Sequence, residues 1–387
     1  MGKLVLFWCK TNPYHASGSP AVLRKIIREM PEDEVVYRCD NDVKDKVDFP
    51  YSFNIKDYGW IDRFFMRFLW RVEFAYKLLI KTPLLFFLGL AEVIRYNPKK
   101  IFTVYFSVEW VLSARLIALF TGKELWYYAH DPFKEKYLNH SRLSLSIVQR
   151  IEKWTLRSSK LIALYHSIGK LYAQQYKISY TLLPHVIIPH QEGMPGKEEF
   201  KSTGEGKDIT FAGSVYDNNK DLVEGLISFA EVHQDIRLRF FGNISQDFKE
   251  KVTNRLGNRI RFGFESNYES LLARLMESDV LYLPLSFTGT KDLPRECLQY
   301  VIPTKAIDYL NTQKPVLLHC PRDYAMYDFM TQFDHIKWIE SFEDQGINKF
   351  IEEAPRIFQE VLETFKIPEE HEEHFFKVQL NKILYGN

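Results

Sequence analysis

Short apolar runs rich in β-branched and aromatic residues alternate with longer stretches of helical periodicity through all 387 residues. Such alternation predicts parallel sheets flanked by helices, because the chain needs a crossover to return to the start of each new parallel strand. Strands are expected at residues 4–9, 34–38, 100–106, 124–129, 160–164 and 180–183, and again at 208–213, 236–242, 259–262, 279–283 and 315–319. Between the two series, residues 187–207 carry Pro189, Gly193, Pro195, Gly196, Gly204 and Gly206 among many charges, the composition of a linker. The expected fold class is α/β with two domains: residues 1–190, a linker at 191–207, residues 208–365 and a last charged helix at 366–387.

Composition narrows the class. At 46% hydrophobic residues the chain supplies ordinary buried cores and is neither disordered nor fibrous. Its four cysteines, Cys9, Cys39, Cys297 and Cys320, include no close pair, so no disulfide framework or zinc site is expected and a reducing cytoplasm is the default location. The apolar start at 3–9 is too short for a secretory signal and reads as a first strand. The longest uncharged apolar stretch of the N-terminal part, 82–91, falls well short of the roughly 18 residues needed to span a bilayer. The net charge of +1 conceals an asymmetry, since residues 1–190 hold 28 basic and 17 acidic side chains and the remainder 23 and 33. The N-terminal part is thus at +11 and the C-terminal part at −10.

Two segments of the acidic half suit a phosphate ligand. In Val301-Ile302-Pro303-Thr304-Lys305-Ala306-Ile307-Asp308-Tyr309-Leu310, Pro303 is expected as the first helical residue, where its missing N–H costs nothing. The free N–H groups of such a terminus, with the Thr304 hydroxyl and the Lys305 ammonium, favour an anion. Asp308, one turn on from Thr304, is suited to accept hydrogen bonds from the paired hydroxyls of a ribose. The same run also serves a helix that merely packs on a sheet. Upstream, Phe211-Ala212-Gly213-Ser214 ends a strand with a glycine that admits close backbone approach, and Asn219 and Lys220 follow as a donor and a cation.

These segments, with Phe240-Phe241-Gly242, Arg261-Phe262-Gly263-Phe264, Ser278 to Pro284 and Lys314-Pro315-Val316-Leu317, resemble the donor domain of retaining GT-B glycosyltransferases of the large group-one family. The likeness covers about 150 residues, and a looser one continues in the first half through Gly18-Ser19, His130-Asp131 and Glu152. The resemblance implies two Rossmann-like domains facing a cleft, with the C-terminal helix crossing back to the first. It implies a nucleotide-sugar donor on the second domain, contacted by Gly213, Ser214, Asn219, Lys220, Phe264, Pro303, Thr304, Lys305 and Asp308, and a glycan or lipid-linked acceptor on the first. His130, Lys220 and Asp308 are the implied catalytic residues, Gly18, Ser19, His130 and Asp131 the acceptor side, and no cofactor or metal is required. The family often has a second acid eight residues before Asp308, where this chain has Tyr300. A sugar-nucleotide epimerase, or a non-catalytic member of an assembly complex, remains as an alternative.

Asp40-Asn41-Asp42 has a metal-binding spacing but is expected to be a solvated acidic turn, and the paired imidazoles of His371 and His374 lack a third ligand. In a single helix over 60–81, Arg63, Arg67, Trp70, Arg71, Phe74, Lys77 and Lys81 fall within an arc of about 120°. Cations interleaved with aromatics suit an anionic membrane surface, which makes the expected location cytoplasmic and peripheral on the inner face of the cell membrane. No nucleic-acid motif accompanies the charge.

Overall fold

The computed structural model describes residues 5–10, 19–40, 54–57, 60–62, 64, 72–104, 107–189, 206–215, 219–265, 268–290 and 293–386. The chain divides into two compact units, Met1–His185 with Glu373–Asn387, and Val186–Glu372. In the first, β1 (Val5–Trp8), β2 (Val35–Cys39), β3 (Asn54–Asp57), β4 (Lys100–Val104), β5 (Glu124–Ala129), β6 (Lys160–Ala163) and β7 (Tyr180–Leu182) form one parallel sheet in the order β3-β2-β1-β4-β5-β6-β7. Its helices are α1 (Ser19–Arg28), α2 (Glu73–Tyr76) running through a π turn at Lys77–Lys81 into α3 (Thr82–Tyr96), α4 (Val108–Thr121), α5 (Arg142–Leu156) and α6 (His166–Tyr176).

The second unit repeats the plan. Strands β8 (Lys207–Ala212), β9 (Ile236–Phe241), β10 (Ile260–Gly263), β11 (Val280–Pro284), β12 (Val316–His319) and β13 (Ile336–Ile339) lie in the order β10-β9-β8-β11-β12-β13. They alternate with α7 (Lys220–Val232), α8 (Gln246–Leu256), α9 (Tyr268–Met276), α10 (Arg295–Leu298), α11 (Thr304–Thr312), α12 (Ala325–Met330) and α13 (Gly346–Thr364), and α14 (Glu373–Tyr385) belongs to the first unit. Central strands such as β11 are buried along their whole length, as parallel strands covered on both faces must be. Strand order reverses between β1 and β4 in one sheet and between β8 and β11 in the other. At such reversals the connecting loops diverge and leave a crevice beyond the strand ends. Among the described residues, no helix is long and apolar enough to cross a membrane.

The sequence pattern missed β3 and β13. Both are edge strands of four residues, Asn-Ile-Lys-Asp and Ile-Lys-Trp-Ile, whose polar positions blur the apolar run.

Two other expectations fail in the first unit. Lys81 is fully buried and faces no membrane: its Nζ lies 2.8 Å from Asp40 Oδ2, 2.5 Å from Asp62 Oδ2 and 3.6 Å from Glu109 Oε1. Burial opposes its charge, but Asp40 and Glu109 outweigh that and hold the ammonium well above its usual range. Asp40 is correspondingly not a solvated turn; it is 4% exposed and also accepts the Trp110 indole N–H at 3.1 Å. The periodicity misled because a π turn takes an extra residue, which rotates every later position by about 100° relative to a regular α-helix. Lys77 is half-buried and pairs with Glu73 on the preceding turn, while Arg63, Arg67, Trp70 and Arg71 lie outside the described residues.

Candidate functional site

Three glycines line the crevice side of the second sheet. Gly213 follows β8 with φ +130°, and its N–H donates to Phe241 O at 2.8 Å; Gly242 follows β9 and donates to Gly263 O at 3.0 Å. A Cβ at Gly242 would run into the Gly213 carbonyl, so only glycine lets these strand ends approach so closely. The start of α11 is brought to this floor by Tyr309. Its buried hydroxyl accepts the Ala212 N–H at 2.8 Å and donates to Tyr282 O at 3.3 Å, spanning β8 and β11 where the strand order reverses.

That anchor fixes the chemistry of the helix's first turn. Pro303 is the N-cap, with an extended ψ of 142°, and Thr304 is the first helical residue, one position later than expected; an extended residue leads the chain in before the helix closes. Lys305 lies with Nζ 4.7 Å above the Phe211 ring and 3.9 Å from the point a Gly213 Cβ would occupy. Among the described residues it forms no ion pair, and burial pulls its ammonium down to about 8. Asp308, one turn on, accepts the Tyr268 hydroxyl on Oδ1 at 3.0 Å; burial pushes its carboxyl up to about 7, against the lowering effect of that hydrogen bond.

The other expected donor residues are placed less tightly. Asn219 is the N-cap residue of α7, and its side-chain N–H donates to Ser214 O at 3.1 Å. Lys220 opens α7 and is exposed, Thr304 is half-buried, and Phe264 stands 68% exposed just beyond β10. Arg295, on the helix just before Tyr300, pairs with Asp323 Oδ2 at 2.6 Å. Among the described residues the structure thus joins Gly213 with Lys305, and joins Asp308 with two partners that the sequence had not marked, Tyr268 and, beyond it, Asn311. Asn311 had a detectable signal, its i, i+3 spacing from Asp308; Tyr268, forty positions away from Asp308, had none.

In the first unit, His130 is buried just beyond β5 with its ring edge-on to Tyr128 at 4.3 Å. Burial pushes the imidazole down to about 4, so it is neutral at pH 7 and can serve as a hydrogen-bonding or basic group. Burial raises the Asp131 carboxyl, but Lys136 at 2.8 Å more than offsets it. Gly18 lies outside the described residues, and Ser19 opens α1.

No protein-family model matches the chain, and no curated protein matches it. Solved structures do. Sucrose-phosphate synthase from Thermosynechococcus elongatus superposes with a TM-score of 0.65 over 98% of this chain and 97% of its own, at 13% identity. WaaG, a glycosyltransferase involved in lipopolysaccharide biosynthesis, gives 0.62 over 99% and 100%, at 14% identity. The chain has the GT-B fold. A candidate UDP-N-acetylglucosamine 2-epimerase from Listeria monocytogenes also superposes, at 0.59 over 100% and 98% with 11% identity. A GT-B scaffold hosts more than one chemistry, so the activity has to be argued from the residues at the strand ends.

Proposed function

We propose that this chain is a glycosyltransferase that moves a sugar from a nucleotide-diphosphate donor to a glycan or lipid-linked acceptor, with retention and without a metal, in cell-surface polysaccharide or glycolipid synthesis. The observation that carries this reading is the half-buried Lys305, which forms no ion pair among the described residues, over a glycine floor at the start of α11, one turn before Asp308. A diphosphate fits beside the ammonium and the free N–H groups of the helix, and a ribose fits the carboxylate. In the reaction the bond from the anomeric carbon to the diphosphate oxygen breaks with its electron pair leaving on phosphate. The Lys305 cation and the helix terminus stabilise that charge where it develops, with Lys220 on the next helix as a second source. The acceptor oxygen forms the new bond and its proton passes to the departing phosphate. Neutral His130 and Asp131 belong to the acceptor side.

Incubated with nucleotide-sugars and a lipid or glycan extract, the purified protein should release nucleoside diphosphate in step with a labelled acceptor product, undiminished by EDTA. Loss of product with chelation would sink the metal-free mechanism. Sugar inversion or release without acceptor would move the assignment to an epimerase.

A different face from the stripe that contained Lys81 supports an acceptor side that works at an anionic membrane. Leu79, Phe87 and Ile94 stand 75%, 67% and 81% exposed along the π turn and α3, and Phe120 of α4 is 70% exposed. Phe86 joins them, 5.2 Å from both Phe87 and Phe120. The only acids of these two helices, Glu92 and Glu109, are buried, whereas Arg95 is exposed, so the face is apolar with a positive edge. Apolar side chains with cations at the rim suit a peripheral location on anionic lipid. Replacing Phe87 and Phe120 together with Gln should cut co-sedimentation with anionic vesicles by roughly tenfold or more, as removal of two partly buried rings predicts; unchanged sedimentation would exclude this face.

A further inference from the structure

We propose that Tyr268 and Asn311 form a relay that positions the Asp308 carboxylate for the nucleotide and ties its occupancy to the backbone at Ile188. The inference rests on the donor-site reading above. Three hydrogen bonds make the relay: Ile188 N–H to Asn311 Oδ1 at 2.8 Å, Asn311 Nδ2 to Tyr268 Oη at 3.2 Å, and Tyr268 O–H to Asp308 Oδ1 at 3.0 Å. Its direction is dictated by chemistry. A backbone N–H can only donate, so the Asn311 atom facing it is the carbonyl oxygen and the amide nitrogen faces Tyr268; the tyrosine, having accepted, turns its own proton to the carboxylate. All three bonds point the same way, each polarising the next toward Asp308.

The arrangement has two consequences. The carboxylate is held through Oδ1, which leaves Oδ2 without a hydrogen-bond partner among the described residues and available to a ligand hydroxyl. The other end of the relay holds the first residues of the second unit: Ile188 is three residues past the boundary at His185, and the neighbouring Ile187 N–H donates at 3.0 Å to His371 O of the same unit. A ribose that draws on the carboxylate therefore alters the bond strength of every link back to Ile188. Among the described residues the Tyr268 hydroxyl from α9 is the group that acts on Asp308; Asp308 in turn raises Tyr309 on its own helix, and Lys305 on the preceding turn lies over Phe211.

The test is the Tyr268→Phe variant, which keeps the ring and removes only the relay hydroxyl. UDP, GDP, ADP and TDP are titrated into wild type and variant from about pH 5.5 to about pH 9. Wild-type affinity should fall as pH drops through about 7, where Asp308 gains a proton. Because the tyrosine hydrogen bond favours the ionised carboxylate, its loss should move that midpoint upward by about one pH unit and weaken binding roughly tenfold at neutral pH. Hydrogen exchange at the Ile188 amide should slow on nucleotide binding in the wild type and not in the variant. A uniform loss of affinity with an unmoved midpoint, or equal Ile188 protection in both proteins, would overturn the relay. A wild type that binds none of the four would overturn the donor site itself, a failure distinguishable from the first.

Discussion

Lys305→Met is expected to weaken nucleoside diphosphate binding by roughly 30- to 150-fold while leaving the protein as stable as before or more so. The affinity loss follows from removing a charge-assisted hydrogen bond worth about 2–3 kcal/mol from a partly desolvated site. The stability gain follows from the same burial. Burial disfavours the cation in the free protein and, among the described residues, no ion pair offsets it, which is why its titration falls to about 8. Methionine keeps the stem that covers Phe211 and removes the cost of the charge. The sign of the pH dependence is also set. Lys305 is protonated below about 8 and Asp308 ionised above about 7, so wild-type affinity should peak between the two and decline on the alkaline side. In Lys305→Met that alkaline decline should disappear. Calorimetric titration together with a thermal melt checks all three, and a variant that binds as the wild type does would remove Lys305 from the site.

Lys81→Met should have the opposite character, a large loss of stability in the first unit. Without the ammonium, Asp40 and Glu109 remain buried with no cation among the described residues, and Asp62 keeps only the Tyr76 hydroxyl. Breaking a buried ion pair from one side costs about 3–5 kcal/mol, a large share of a total stability of about 5–15 kcal/mol. The triple change Lys81→Met, Asp40→Asn, Glu109→Gln should recover much of that loss, because it removes the charges that the single change strands. Urea unfolding followed by tryptophan emission is a suitable readout, since Trp110 donates to Asp40 within the network. An unaltered midpoint in the single variant would show that the cluster contributes nothing net.

The division of the sequence into two α/β units was legible because central parallel strands are apolar throughout and each is followed by a turn and a helix. The edge strands β3 and β13 were not, since Asn54, Lys56 and Asp57 in one and Lys337 in the other interrupt the apolar run. At the site, Gly213, Lys305 and Asp308 could be read from local order along a strand end and a helix start. Tyr309 was visible only as part of an apolar stripe, and its hydroxyl bridge between β8 and β11 depends on tertiary packing. The basic stripe shows the reverse error. Lys81 counts as a surface cation on any helical wheel, and only the π turn and three carboxylates from distant parts of the chain reveal it as a buried strut. Charge at the level of the whole half was therefore a weaker guide to the proposed membrane face than the exposed rings of Phe87 and Phe120.

Equilibrium titration of the wild-type protein with the four nucleoside diphosphates, repeated on Asp308→Ala, tests the central claim most directly. At least one nucleotide should bind to the wild type without added metal, with its affinity lowered at least tenfold in the variant, as loss of the hydrogen bonds from a ribose to a charged acceptor requires. Binding of none of the four, or equal binding by both proteins, would contradict the assignment of the α11 terminus as a nucleotide site.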